Sequence, residues 1–137
     1  MIRKIVFTLL LGVVALVACS GNSYSSSENE NPTLVPVPAE YAGLTNPFGE
    51  EAAAEGGEIF RINCEVCHGS EGHGDGPAGQ SLEPKPRNLA ELQTQAADDF
   101  LFWRIREGKP GTSMVPWKGI LTDEQIWQTV SFIRTLK

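Results

Sequence analysis

Three stretches of the chain repeat their apolar residues at spacings of three to four, and each predicts a helix. In the first, about Glu50 to Asn63, Ala53, Gly57, Phe60 and Cys64 fall on one face, and Glu50 and Glu51 complement the positive end of the helix dipole. The second, about Ala96 to Glu107, carries Phe100, Leu101, Trp103 and Ile105, and Gly108 supplies its stop. The third, about Asp123 to Leu136, opens with Thr122 and Gln125 in capping-box spacing and aligns Ile126, Val130 and Ile133 beside Trp127. No strand signal of useful length appears, so the expected fold class is all-α. Gly56 and Gly57 each weaken an isolated helix by about 1 kcal/mol relative to alanine. Their presence implies that another helix passes close by, and the last helix is the expected partner. Ser70 to Pro86, rich in glycine and proline, reads as an extended loop.

The first third of the chain follows a different pattern. Met1-Ile2-Arg3-Lys4 is a basic start, Ile5 to Val17 is an almost unbroken apolar run, and Leu16-Val17-Ala18-Cys19 closes it with small residues. That is the layout of an export signal, here over residues 1–18, and the run is shorter than the roughly 20 residues a membrane span needs. The last four residues are also similar to the lipobox of bacterial lipoproteins, in which cleavage precedes a cysteine that carries diacylglycerol. Lipidation of Cys19 would account for an odd third cysteine. Several acyl chains on one residue satisfy the need for more than one chain in stable anchoring. From Ser20 onward Ser, Asn and Glu dominate, and then Pro32, Pro36 and Pro38 stiffen the segment. Residues 19–46 are therefore expected to form a flexible tether, and 47–137 the folded domain, with Tyr41, Leu44 and Phe48 packing back onto it.

Candidate chemistry centres on Cys64-Glu65-Val66-Cys67-His68. Two thiols one helical turn apart, followed at once by a histidine, form the attachment signature of a c-type haem. Each sulfur can add across a haem vinyl group, and the imidazole then lies under the iron as proximal ligand. Cys-x-x-Cys alone also occurs in zinc knuckles, dithiol oxidoreductases and plain disulfides. A zinc site here would have to crowd Cys64, Cys67, His68 and His73 within ten residues. A thioredoxin-like motif would follow a strand, whereas a helical pattern precedes this one. A domain of about 90 residues buries a modest core, and covalently bound haem would reinforce it.

Once Met1 is lost with the signal, Met114 and His73 are the candidates for a sixth iron ligand. Met114 is favoured, because Pro110 and Pro116 stiffen its loop and can hold a thioether in place. A soft sulfur ligand would raise the reduction potential. His73 lies five residues past His68 on the same glycine-rich loop and would have to cross to the other face of the ring, so it is expected in solvent.

With these residues in place, the chain resembles the class I c-type cytochromes from Glu50 to the C-terminus. The marks are Gly57 and Phe60 before the Cys64-Glu65-Val66-Cys67-His68-Gly69 run, and Phe132 in the last helix. The resemblance implies a small cytochrome c fold of three main helices around one covalently attached haem, with the first and last helices crossing at such a glycine. It implies that the Pro77 carbonyl, in Gly76-Pro77, accepts the Nδ1–H of His68. It also implies that Arg87 and Trp117 serve the haem propionates. Gly72 to Ala78 and Pro86 to Leu89 are similar to monohaem cytochrome subunits of bacterial respiratory complexes, and Asn46-Pro47 adds a resemblance to the lipid-anchored subunit of alternative complex III. One departure is Val115, where many relatives follow the ligand methionine with proline.

Net charge reinforces this reading. It changes from −6 to −8 once residues 1–18, with two basic and no acidic residues, are removed. No basic stripe remains to bind nucleic acid, and an acidic carrier is steered toward redox partners with basic docking patches. The expected function is electron transfer by one haem c cycling between Fe(II) and Fe(III), with no small-molecule substrate. The expected location is the outer face of the bacterial cytoplasmic membrane, through lipidated Cys19. Two alternatives stand beside a tethered carrier. One is a fixed subunit of a quinol-oxidising or terminal oxidase complex. The other is a haem enzyme or gas sensor with a labile sixth ligand.

Overall fold

The computed structural model describes residues 34–137, so the signal over 1–18, Cys19 and the first part of the tether lie outside the described residues. Five α-helices follow one another: α1 (Ala53–Asn63), α2 (Glu65–His68), α3 (Leu89–Leu92), α4 (Asp98–Glu107) and α5 (Asp123–Ile133). Short 3-10 turns at Glu50–Ala52 and Gly79–Ser81 complete the list among the described residues, and the β pairing there is one isolated bridge, Lys118 with Leu121. The three long helices match the three periodic stretches. The first differs at its start, where Glu50–Ala52 is a 3-10 turn, because the Glu51 carboxylate turns back to accept the Gly49 N–H at 3.0 Å.

α1 and α5 cross with their backbones in contact. A Cβ built on Gly56 would fall on the carbonyl of Gln128, whereas one on Gly57 would meet the Phe132 ring at 3.1 Å. The close backbone approach therefore belongs to Gly56, and Gly57 makes room for an aromatic side chain. Phe60 and Phe132 meet beside this crossing with ring centroids 5.0 Å apart. Ile126 and Val130 on the inner face of α5 are fully buried, and Trp127 stacks on Phe102 of α4 at 4.1 Å. Thr122 and Gln125 form the expected reciprocal capping box at the start of α5, satisfying two of the N–H groups that a helix leaves unpaired.

Two short helices escape the periodic pattern. α3 is one turn long and starts at Asn88, whose side chain accepts the Glu91 N–H at 3.2 Å. α2 carries the cysteine motif. A second difference lies in the expected tether, since its residues 34–46 belong to the same compact unit as the helices. Leu34, Val37, Tyr41 and Phe48 pack against the core, while Leu44 stays exposed. Asn46 fastens this strap. Its side chain donates to the Trp127 carbonyl at 3.2 Å and to Ser131 Oγ at 2.9 Å, and its N–H donates to Asp98 at 3.1 Å. Asp98 also pairs with Arg134 at 2.6 Å, so strap, α4 and the end of α5 share one polar cluster. Among the described residues no helix is long and apolar enough to cross a membrane.

Candidate haem-binding site

Cys64 closes α1, its N–H donating to the Phe60 carbonyl at 2.8 Å, and at once opens α2. The Cys67 and His68 N–H groups both donate to the Cys64 carbonyl, at 3.1 and 2.9 Å. One turn thus sets the two sulfurs and the imidazole on a rigid local frame, as the spacing predicts. Both cysteines are free thiols. Burial, reinforced by the neighbouring Cys67, pushes the Cys64 thiol up to about 12, which keeps it protonated at neutral pH.

The loop that follows wraps this turn with its backbone. Gly74 N–H donates to the His68 carbonyl at 2.8 Å and Ala78 N–H to the Val66 carbonyl at 2.9 Å. A Cβ on Gly76 would sit 2.5 Å from the Glu65 carbonyl oxygen, and one on Gly79 would strike that of Cys67. Glycine is needed at both places because main chain lies directly on main chain. This loop is not fully extended, since it includes the turn at Gly79–Ser81.

The His68 ring is held below its ordinary pKa by burial, opposed by the backbone carbonyl of Arg87. A neutral imidazole is the form that binds a metal. Its Nδ1 is buried without a hydrogen-bond partner. The hydrogen bond expected from Nδ1 to the Pro77 carbonyl is therefore not formed. The physical reason lies in the loop path: the Ala78 N–H makes the bond to the motif turn, and Pro77 itself is exposed. The main-chain group that faces the imidazole is that of Arg87. The Phe60 ring lies 6.5 Å from the His68 ring, centroid to centroid.

Met114 occupies the loop between α4 and α5. Gly108 ends α4 at φ +67° with its Cα against the Met114–Val115 backbone. Lys109 N–H donates to the Met114 carbonyl at 2.9 Å, and Met114 N–H donates to Thr112 Oγ1 at 3.2 Å. Hydrogen bonds as well as the two prolines therefore fix this loop. Cys64, Met114 and Trp117 are all half-buried against the same hydrophobic core, while Val115 is exposed. Trp117 donates its backbone N–H to the Ile105 and Arg106 carbonyls at 3.3 and 3.2 Å. His73 is exposed, its Nε2 3.4 Å from the Glu71 carboxylate.

Sequence reasoning passed over Arg104. Its guanidinium lies 4.2 Å from the centre of the Trp103 ring system and donates to the Gly108 carbonyl at 3.1 Å, and burial lowers its pKa. The signal was present in the adjacent Trp-Arg pair, but cation–π stacking depends on rotamers that a pattern does not specify.

A paired thiol turn with a half-buried imidazole, in a fold that has no strand among the described residues and whose α1 and α5 cross at a glycine, defines a c-type cytochrome domain. Residues 51–133, more than half of the chain, match the family described as "Cytochrome C oxidase, cbb3-type, subunit III", and the chain belongs to that family of c-type cytochromes. Among solved structures it is similar to a chain of the Kuenenia stuttgartiensis reducing HAO-like protein complex Kustc0457/Kustc0458. The identity is 35% and the TM-score 0.54, over 59% of this chain and 40% of that one. It is also similar to cytochrome cL from Methylophaga aminisulfidivorans, with 26% identity and a TM-score of 0.49 over 63% of this chain and 55% of that one. The KustC0563 c-type cytochrome matches at 30% identity and a TM-score of 0.49, over 60% of this chain and 96% of that one. The chain spans less than two thirds of the length of the first two. The family implies haem c, and the residues present fit it, with free thiols at Cys64 and Cys67 and beside them an imidazole that burial holds toward its neutral, metal-binding form.

Proposed function

We propose that the protein is a monohaem electron carrier in which Cys64 and Cys67 form the thioethers and His68 and Met114 ligate the iron. The observation that carries this reading is the α2 turn, where the Cys64 carbonyl accepts the Cys67 and His68 N–H groups and so holds two free thiols and the imidazole on one frame. Haem c, when bound, supplies a one-electron Fe(II)/Fe(III) couple. The chain's own residues hold and orient it: the Cys64 carbonyl locks the turn, Phe60 walls off the imidazole, and the glycine loop closes over the motif backbone. The hydrogen-bonded Met114 loop favours a closed site over the open sixth position that a haem enzyme or gas sensor needs. Arg87 and Trp117, both half-buried, supply the donors we assign to the propionates.

Export, lipidation at Cys19 and residence on the outer face of the bacterial cytoplasmic membrane form part of the same proposal, supported by the pattern of residues 1–19. Redox partners with basic patches suit the net acidity. A second reading, a fixed subunit of a respiratory complex, is favoured by the family description, which names an oxidase subunit. Co-purification of a large membrane complex with the anchored protein would select it.

The decisive experiment is the spectrum of the oxidised haem protein with Met114 intact and as Met114→Ala. The expected result is a weak far-red sulfur-to-iron band in the parent and its loss in the variant. A parent without the band would refute the ligand assignment. Haem staining that survives denaturation, and is abolished in the Cys64→Ser/Cys67→Ser double variant, tests the covalent link.

A further inference from the structure

Glu107, the last residue of α4, is shared by segments that lie far apart in the chain. Its Oε1 accepts the Tyr41 hydroxyl at 2.6 Å and an Arg106 N–H at 3.0 Å, while Oε2 pairs with Lys118 Nζ at 2.5 Å. Arg106 in turn donates to the Tyr41 oxygen and to Asp123 in the first turn of α5, each at 3.0 Å. Tyr41 belongs to the strap that precedes the first helix, and Lys118 ends the loop that carries Met114. The Glu107 and Arg106 side chains are 25% and 31% exposed, while their outer partners Lys118 and Asp123 are 52% and 63% exposed, so the network has a partly sheltered centre and exposed arms.

The Met114 loop has two feet. It leaves α4 at Gly108 and rejoins it where the Trp117 and Lys118 N–H groups donate to the carbonyls of Ile105 and Arg106. Such a loop opens by parting its feet, and Glu107 is the side chain that clamps Lys118 to the end of α4. Tyr41 fixes Glu107 from the outer side through a direct O–H···O bond. The raised pKa of Tyr41, caused first by Glu107, and the lowered one of Glu107, caused first by Lys118 and then by Tyr41, accord with that chain of contacts.

We propose that Tyr41 is a positioning residue for Met114: from the N-terminal strap it fixes Glu107, which with Lys118 keeps the methionine loop shut. This rests on Met114 being the sixth ligand. The strap is then part of the redox site's support as well as a segment packed against the core.

The test uses the full-length, haem-loaded, oxidised protein and added imidazole, a probe that reaches iron only when the loop has opened. Apparent affinity is the intrinsic affinity scaled by the open fraction. Tyr41→Phe keeps the ring and removes the hydroxyl, and it is expected to tighten apparent imidazole binding roughly fivefold, the factor for losing one hydrogen bond of ordinary net strength. Asn46→Ala loosens the strap at its other end, where it holds Trp127 and Ser131, and is expected to leave the imidazole affinity at the parent value. Unchanged affinity in Tyr41→Phe overturns the proposal, and so does an equal gain in Asn46→Ala, which would show general loosening. Failure of the ligand assignment has its own signature. Met114→Ala would then keep the parent's far-red spectrum and imidazole affinity, and the proposal would fall with it.

Discussion

Gly56→Ala puts a methyl group into the crossing of α1 and α5. The new Cβ would lie 2.5 Å from the Gln128 carbonyl carbon and 3.1 Å from Phe132 Cβ, whereas non-bonded carbons rest about 3.5–4.0 Å apart. Backbone cannot swing aside as a side chain can, so the helices must separate by about 1 Å, and a gap of that size forfeits roughly a quarter to a half of each dispersion contact. Overpacking of this kind costs about 3 kcal/mol. The gain in helix propensity returns about 1 kcal/mol, for a net loss of about 2 kcal/mol. For a domain of roughly 100 residues that lowers Tm by about 10 °C. Gly57→Ala is the control, because it meets the edge of the Phe132 ring at 3.1 and 3.3 Å and a small tilt relieves it; propensity gain and crowding should cancel to within about 1 kcal/mol. Urea and thermal melts of the haem-loaded variants measure both. Stabilisation by Gly56→Ala, or a larger loss from Gly57→Ala, would refute the account of the crossing.

Other changes probe separate parts of the fold. Thr122→Ala removes half of the α5 capping box and should cost about 1 kcal/mol in urea melts, whereas Thr122→Ser should cost much less. Arg134 donates to Asp98 and to the carbonyls of Gln93 and Ala96, so Arg134→Ala should destabilise by about 2 kcal/mol by leaving those acceptors unpaired. Lys118, then Tyr41, hold the Glu107 carboxyl below the usual carboxylate range. Its contribution to stability is complete above the unfolded carboxylate pKa and is lost as pH falls through the lower folded value. Between pH 7 and pH 3 the parent should therefore lose more stability than Glu107→Gln, and parallel losses in urea midpoints would contradict the role of that carboxylate.

The long helices were legible because ten or more residues of apolar repeat, with caps at Thr122 and stops at Gly108, leave little ambiguity. α2 and α3 are four residues each, too short for periodicity to register, and they form because Cys64 and Asn88 satisfy their first N–H groups from outside the repeat. The Cys64-to-His68 motif stood out for a different reason: the thioether attachment and proximal ligation proposed for it need groups held within one turn, so that chemistry is local in sequence. The support around that motif is not local. Neither the Arg87 carbonyl facing His68 nor the Glu107 clamp on Lys118 follows from spacing, since each depends on the path of a loop.

The sequence alone thus determined the helical class and placed the Cys64-to-His68 motif on which the proposed haem attachment rests, each encoded by residues that are neighbours or share one helix face. Tertiary structure decided which glycine bears the crossing, that Leu34 to Phe48 is docked along the helices and not loose, and that Arg87, not Pro77, turns its main chain to the imidazole. These outcomes depend on how distant segments meet, and no pattern within a segment specifies its partner's backbone.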